Sequence, residues 1–555
     1  MLVRVSRIHA ALWGCILSAT LFAQTAPDTY WVQFTDKDGT PYSLDQPEEF
    51  LSARSIARRI AQDIPFDELD LPVDPAYIDL VLSMGDVQLV NRSKWFNAIT
   101  VRTTDHEALN AILELPVVLT VRSSGLSTAP GSINNKFRDP YPGTERDGEA
   151  ELYGPSFRQI EMLNGHLLHA MDAKGQGMLI GVLDSGFDGV DSSNAFQPLR
   201  DRGGLVLARD FVDLGGDVFQ GNSHGRSVLS CMAGQLPGAI FGTAPEADYV
   251  LLRTEDTDSE YPVEEDNWIS GAELADSLGC DVLNTSLGYT TFDDSTMDHR
   301  YEDLDGQTLR ISIAANIASR KGMIPVQSAG NSGTSEWYYI SAPADAIDIL
   351  ATGAVGDVEN YAPFSSHGPS ADGRVKPDVC AMGWGSIVLR PDVDSVAAAN
   401  GTSFAAPILA GLVACLWQLH PERTSQQIMD AVRRSGSFFS APSDSLGHGV
   451  PDFAAAHAWL ELTAGLAGPV GEEVRVFPVP FQDELFLRLS SGTNGPVRIS
   501  IVDASGRMVV DLRTTANSDG LIRIGSGLVT LASGAYVLRV EQGGRIFQKA
   551  TIKAP

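Results

Sequence analysis

Four side chains carry groups that can act together in one reaction: Asp184, His224, Asn331 and Ser403. Ser403 stands in NGTSFAAPILAGLV, where a small-residue turn runs straight into an apolar segment. One reading of such a hydroxyl is helix capping, since Ser and Thr accept hydrogen bonds from the free amides at a helix start. The other is nucleophilic attack from a helix N-terminus, whose positive end favours developing negative charge. A serine hydroxyl is too weak an acid to attack unaided; it needs an imidazole to take its proton and a carboxylate to orient that imidazole. His224, one of ten histidines, lies in GNSHGRSVLSCMAG, where a small polar turn delivers the ring to the first turn of an apolar helix. Asp184 closes the apolar run LIGVLD, where an isolated buried carboxylate is costly unless hydrogen-bonded or paired. Asn331, in VQSAGNSG, offers a neutral amide donor of the kind a developing oxyanion needs.

These residues have to be delivered to one place, and the elements around them give a means. Between 151 and 467, apolar strands (MLIGVLDSG, ADYVLLRT, CDVLNTSLG, MIPVQSAGNSG, IDILATGAV) alternate with helices (HGRSVLSCMAG, WISGAELADSLG, LRISIAANIASRKG, SFAAPILAGLVACLWQLH). Continuous apolar strands alternating with helices predict an α/β domain whose mostly parallel sheet is covered on both faces. Asp184, Ser286 and Asn331 each stand at the end of such a strand, and ligand sites of open α/β sheets lie beyond the carboxyl ends of the strands. Residues 24–123 read as a small α+β unit, strand-helix-strand-strand-helix-strand, in which FLSARSIARRIAQ is a basic amphipathic helix. Residues 124–150 are rich in Gly, Pro, Asn, Ser and Asp without periodicity and read as an exposed linker open to cleavage. Residues 472–555 turn to short alternating strands and predict a small all-β sandwich.

The chain has 555 residues, 43% hydrophobic, enough for several cores. Its net charge of -30, from 70 acidic and 40 basic residues, opposes a nucleic acid or an anionic membrane as main partner. Arg4 and Arg7 precede an apolar run from Ala10 to Ala23, the layout of a signal peptide over residues 1–23. No later apolar run is expected to span a membrane. Cys231, Cys280, Cys380 and Cys415 are widely spaced with no C-x-x-C pair; buried free thiols are the favoured reading, with disulfides open.

The motifs GVLDSGFDG, NSHGRSV, NTSLG, SAGNSG, KPDVCAMG and NGTSFAAPILAGLVA, in this order, resemble the subtilisin-like serine proteases, the subtilases. The resemblance implies the subtilisin-like α/β fold and a secreted serine endopeptidase that works through an acyl-enzyme, without a cofactor. In that scheme Ser403 attacks, His224 is general base then acid, Asp184 fixes the imidazole, and Asn331 with the Ser403 backbone amide forms the oxyanion hole. Ser286, Leu287 and Gly288 match the family segment that pairs with substrate backbone and lines the pocket for the residue before the cut. The N-terminal unit resembles the subtilase inhibitor prodomain, which implies an intramolecular inhibitor removed by cleavage. The C-terminal region, with VFPVPFQDELFLRL, VDASGRMV and LASGAYVLRVEQGG, resembles the sorting domain of the type IX secretion system, implying Bacteroidota-type machinery and export to the surface or medium. Departures are SGFDGVDSSNAF after Asp184, Cys380 and Met382 in KPDVCAMG, and Val479 in the sorting motif. The acidic stretch 290–306 offers oxygen ligands for structural calcium but lacks an ordered calcium-loop spacing, so a solvated loop is the favoured reading and no metal ligand is assigned. The competing functions are a non-catalytic surface binding protein on the same scaffold and a simple esterase, although Gly-Thr-Ser-Phe-Ala is not the G-x-S-x-G elbow of lipases.

Overall fold

The computed structural model describes residues 28–125, 152–391 and 394–464, and within the C-terminal region 474–477, 481, 484–489, 496–503, 507–515, 521–525, 527–542 and 545–553. The signal peptide and nearly all of the linker lie outside the described residues.

The N-terminal unit contains β1 (Thr29–Phe34), α1 (Ala53–Ala61), α2 (Pro75–Leu82), β2 (Gln88–Ser93), β3 (Ala98–Arg102), α3 (His106–Leu113) and β4 (Val118–Gly125), with strand order β2-β3-β1-β4. The sequence pattern predicts one helix between β1 and β2; two are present. The helix it missed, α2, has Pro75 in its first turn and Asp74 accepting from Ala76 N at 2.8 Å, both start signals. The sheet is covered by α2 and α3 through Ile78, Val81 and Ile112, whereas α1 gives no residue to that core.

The central unit is built on β5 (Leu179–Asp184), β6 (Leu205–Asp210), β7 (Asp248–Arg253), β8 (Val282–Thr285), β9 (Ile324–Ser328), β10 (Leu350–Val355) and β11 (Val379–Met382). They form one sheet in the order β11-β10-β9-β8-β5-β7-β6, with every pairing parallel. Side chains alternate across it: Ile180, Val182, Tyr249 and Leu251 enter one core, and Leu179, Leu183, Val250 and Leu252 the other. Helices α4 (His224–Ala233) and α7 (Thr402–Leu419) supply the first core. Helices α5 (Val263–Leu278) and α6 (Arg310–Arg320) supply the second. The two edge strands, β6 and β11, are not evident in the sequence pattern; β6 is only half-buried and carries Arg209 and Asp210, so it lacks a continuous apolar run.

Helix α7 has 18 residues and a mean hydropathy of 1.6, long and apolar enough to cross a membrane by length and composition. It is 89% buried within the protein, so its apolar surface is satisfied by the sheet and α4. The four described cysteines are free and buried, and burial pushes each thiol up, Cys380 to about 12.

In the C-terminal unit, strands Val474–Phe477, Leu485–Leu489 and Leu521–Ile524 form one antiparallel sheet. Strands Pro496–Asp503, Met508–Thr515, Gly534–Gln542 and Arg545–Lys553 form another. Leu485, Leu487, Ile499, Ile501, Leu538 and Val540 share a core between them.

The N-terminal unit is fastened to α5 by charge. Asp276 accepts from Arg58 Nη2 at 2.6 Å and Arg59 Nη2 at 2.8 Å, and Lys94 Nζ lies 3.2 Å from it. Burial pushes the Asp276 carboxyl up, but Lys94, Arg59 and Arg58 outweigh it and hold it well below the usual range. Glu273 accepts from Ser93 Oγ at 2.6 Å, Lys94 N at 2.7 Å and Trp95 N at 3.1 Å, and burial pushes it up to about 7. Thus α1 is amphipathic because its basic side meets α5. Asp276→Ala leaves two buried guanidiniums without their shared carboxylate and is expected to weaken this docking by about 3–5 kcal/mol. Faster proteolytic release of residues 28–125 and a lower thermal midpoint are the measurements, with Asp276→Glu as partial rescue.

Candidate active site

Asp184 is the last residue of β5 and is fully buried. Its Oδ1 accepts from His224 Nδ1 at 2.8 Å, Ser185 N at 2.8 Å and Ser185 Oγ at 3.2 Å. A carboxylate acceptor at Nδ1 fixes the proton there, which leaves Nε2 as the basic nitrogen of the neutral ring. His224 opens α4, and its backbone N–H donates to Asn222 Oδ1 at 2.7 Å, which also accepts from Ser185 Oγ at 3.0 Å. Asn222 thus ties the start of the histidine helix to the end of the aspartate strand. The Phe404 ring stands beside the imidazole, with centroids 5.9 Å apart.

Ser403 is the second residue of α7, so its backbone N–H is one of the amides that a helix start leaves without an intrahelical partner. Its Oγ donates to Ser286 O at 3.3 Å, and its carbonyl accepts from Ser286 Oγ at 2.8 Å. Ser286 directly follows β8, so this exchange pins the hydroxyl to the sheet edge.

Asn331 lies beyond β9, after Gly330, whose φ of +104° suits glycine. Its Oδ1 accepts from Thr402 N at 2.9 Å and Thr402 Oγ1 at 3.0 Å, and Thr402 Oγ1 accepts in turn from Gly330 N at 3.2 Å. With the oxygen fixed by two donors, the Nδ2 amide group faces the other way, and it has no partner among the described residues. Ser286, Leu287, Gly288, Asn331 and Ser403 all line one cavity of about 260 Å³. The structure therefore joins Asp184 to His224 and Asn331 to the first turn of α7, and brings Ser286, Leu287 and Gly288 against Ser403.

Part of the scaffold was missed in the sequence. Asn222 carries a signal, an Asn two residues before a helix, that the search for a proton acceptor passes over. Thr402 was visible only as half of a capping motif. In the acidic stretch, Asp294, Asp298, Asp303 and Asp305 accept from nearby backbone N–H groups of Thr296, Phe292, Arg300 and Gln307. That is loop capping, and the two groups of described residues with ligand atoms close enough for a metal ion lie elsewhere.

Residues 175–449 match the model of the Subtilase family. This segment is a subtilase domain. Residues 29–137 match the Peptidase S8 propeptide domain of Bacteroidota, and residues 475–553 a secretion system C-terminal sorting domain. The chain is 29% identical over 299 residues to subtilisin E of Bacillus subtilis (strain 168), covering 53% of this chain and 70% of that protein. It is 29% identical over 286 residues to the subtilisin of Bacillus pumilus, covering 51% of this chain and 92% of that one. Among solved structures, fervidolysin from Fervidobacterium pennivorans, described as a keratinolytic enzyme related to subtilisin, superposes with a TM-score of 0.53 at 18% identity. That match covers 95% of this chain and 76% of fervidolysin, and it bears on fold alone. The protein is a serine endopeptidase whose subtilase domain is accompanied by a propeptide domain and a sorting domain.

Proposed function

We propose that the subtilase domain cleaves peptide bonds through an acyl-enzyme in which Ser403 is the nucleophile, His224 the general base and then acid, and Asp184 the group that orients the imidazole. The observation that carries this reading is the 2.8 Å hydrogen bond from His224 Nδ1 to Asp184 Oδ1, which leaves Nε2 basic in a domain whose α7 carries the Ser403 hydroxyl in its first turn. As Ser403 Oγ adds to the substrate carbonyl its proton passes to Nε2; collapse of the tetrahedral intermediate returns that proton to the leaving amine, and water repeats the cycle on the ester. The Asn331 Nδ2 amide and the Ser403 N–H receive the oxyanion. Asn331→Ala is expected to lower kcat by about 100- to 1,000-fold with little change in KM, because the donor acts in the transition state; steady-state kinetics on a peptide substrate measure it.

Residues 28–125 act as intramolecular inhibitor, and the sorting domain hands the exported protein to type IX secretion machinery for release at the surface or into the medium. The β4 strand supports the first role: it ends at Gly125 so close to Tyr261 that a Cβ there would lie 2.4 Å from Tyr261 Cβ, beside the cavity-lining Glu260. A phosphonofluoridate probe tests the catalytic assignment. Label on Ser403, lost on denaturation before treatment, together with cleavage of casein is expected. An unlabelled protein that binds peptides without cleaving them means a binding scaffold, and turnover of simple esters without casein means an esterase.

A further inference from the structure

The cavity that Ser403 lines has a chemical character that the catalytic groups do not explain. Glu255 and Glu260 are its only charged lining residues among the described residues. Glu255 is 4% exposed, and its Oε2 accepts from Tyr289 Oη at 2.9 Å. Tyr289 is fully buried; burial first, then the carboxylates of Glu255, Glu264 and Glu260, push its hydroxyl well above its usual range, so it remains a donor. Carboxylate oxygens of Glu255, Glu260 and Glu264 lie within 4.8 Å of one another.

A second feature points to an occupant independently of the carboxylates. Ser341 lines the same cavity, is 5% exposed, and its Oγ is buried without a hydrogen-bond partner among the described residues. It faces the bare backbone of two other wall residues: a Cβ on Gly288 would fall 2.1 Å from Ser341 Oγ, and one on Gly330 would fall 3.0 Å from it. Both positions keep this hydroxyl open to the cavity. A buried polar atom left unsatisfied forfeits its hydration with nothing in return, and a ligand donor reaching the cavity restores it.

We propose that this cavity receives the side chain on the acyl side of the scissile bond, and that Glu255, Glu260 and Ser341 select lysine or arginine there. The inference rests on the catalytic reading of Ser403. An ammonium has three donors and a guanidinium five, which match acceptors on two carboxylates and a hydroxyl. A neutral side chain offers these carboxylates no charge-assisted hydrogen bond, and an acidic one would add a third negative charge.

The test uses the matured enzyme and peptides that differ only at the residue before the cut: Lys, Arg, Leu, Phe and Glu. The kcat/KM for Lys and Arg is expected to exceed that for Leu and Phe by about 10- to 100-fold, with Glu the poorest. Glu255→Gln and Glu260→Gln are each expected to lower the Lys-to-Leu ratio about tenfold. The ratio is the readout, because a merely structural loss would depress all peptides together. Glu260 is half-buried, so Glu260→Gln remains informative if the buried Glu255→Gln fails to fold. Equal rates on Lys and Leu peptides, or a ratio that neither variant changes, overturn the inference and leave the protease standing. So does a divalent cation that binds wild type, is lost in Glu260→Gln, and must be present for cleavage after Leu, which would make the carboxylates a metal site. No cleavage of any peptide together with no label at Ser403 overturns the catalytic reading and the pocket with it.

Discussion

Ser403→Ala should lower kcat on peptide substrates by on the order of 10⁶-fold, the cost of removing the nucleophile or the base from a triad of this kind. The reason is that Ser403 and His224 act as a unit: without the hydroxyl the imidazole has no proton to take, and without the imidazole the hydroxyl stays too weak to attack. His224→Ala should cost about as much, and the double variant little more than either alone. A double variant that falls to the product of the two single effects would show independent roles and contradict the shared proton. Ser403→Ala should also remain joined to residues 28–125 as judged by intact mass, provided the enzyme releases its own propeptide; a normally trimmed N-terminus in that variant would assign processing to another protease.

Asp184→Ala should cost on the order of 10⁴-fold in kcat with KM nearly unchanged. Removing the carboxylate frees the imidazole to rotate and deletes the charge that stabilises it once protonated. The geometry allows these two losses to be separated. One oxygen, Oδ1, receives all three donors, from His224 Nδ1, Ser185 N and Ser185 Oγ. Asp184→Asn keeps an acceptor, discards the charge and puts an NH2 donor at the buried Oδ2 position, so its rate should lie above that of the alanine variant where the carboxamide oxygen still meets Nδ1. The same rate for both would mean that charge accounts for the whole effect. An alanine variant with wild-type kcat would remove Asp184 from the reaction altogether.

The positions that carry chemistry were legible because each interrupts a regular pattern. Asp184 ends an apolar strand, His224 and Ser403 open apolar helices, and Asn331 follows a strand in a Gly-Asn-Ser turn. The parallel sheet was legible for a similar reason, since strands buried on both faces cannot hide their apolar runs. Harder to see were features whose partners are distant in sequence. Arg58 and Arg59, two of the three arginines of α1, looked like the solvent side of a local helix, yet both are buried against Asp276, more than two hundred residues on. Likewise α5 starts at Val263, ahead of the Trp268 where the apolar pattern begins, because Glu264, Glu265 and Asp266 suit the positive end of a helix and Asp266 also accepts from Ser124 Oγ at 2.8 Å. Glu255, Glu260 and Ser341 were illegible for a third reason: no local pattern relates two acidic loop positions to a serine some eighty residues later, and only the fold makes them neighbours.

The fastening of α1 to α5 also bears on what remains once the two part. Joints made of oil leave sticky faces behind, which need a chaperone or a new partner. Where arginine and lysine leave aspartate and glutamate, water takes over each contact, and the flank of α5 around Asp276 and Glu273 becomes one more acidic surface on an already acidic protein, beside the apolar seat that Trp95, Phe96 and Leu69 vacate.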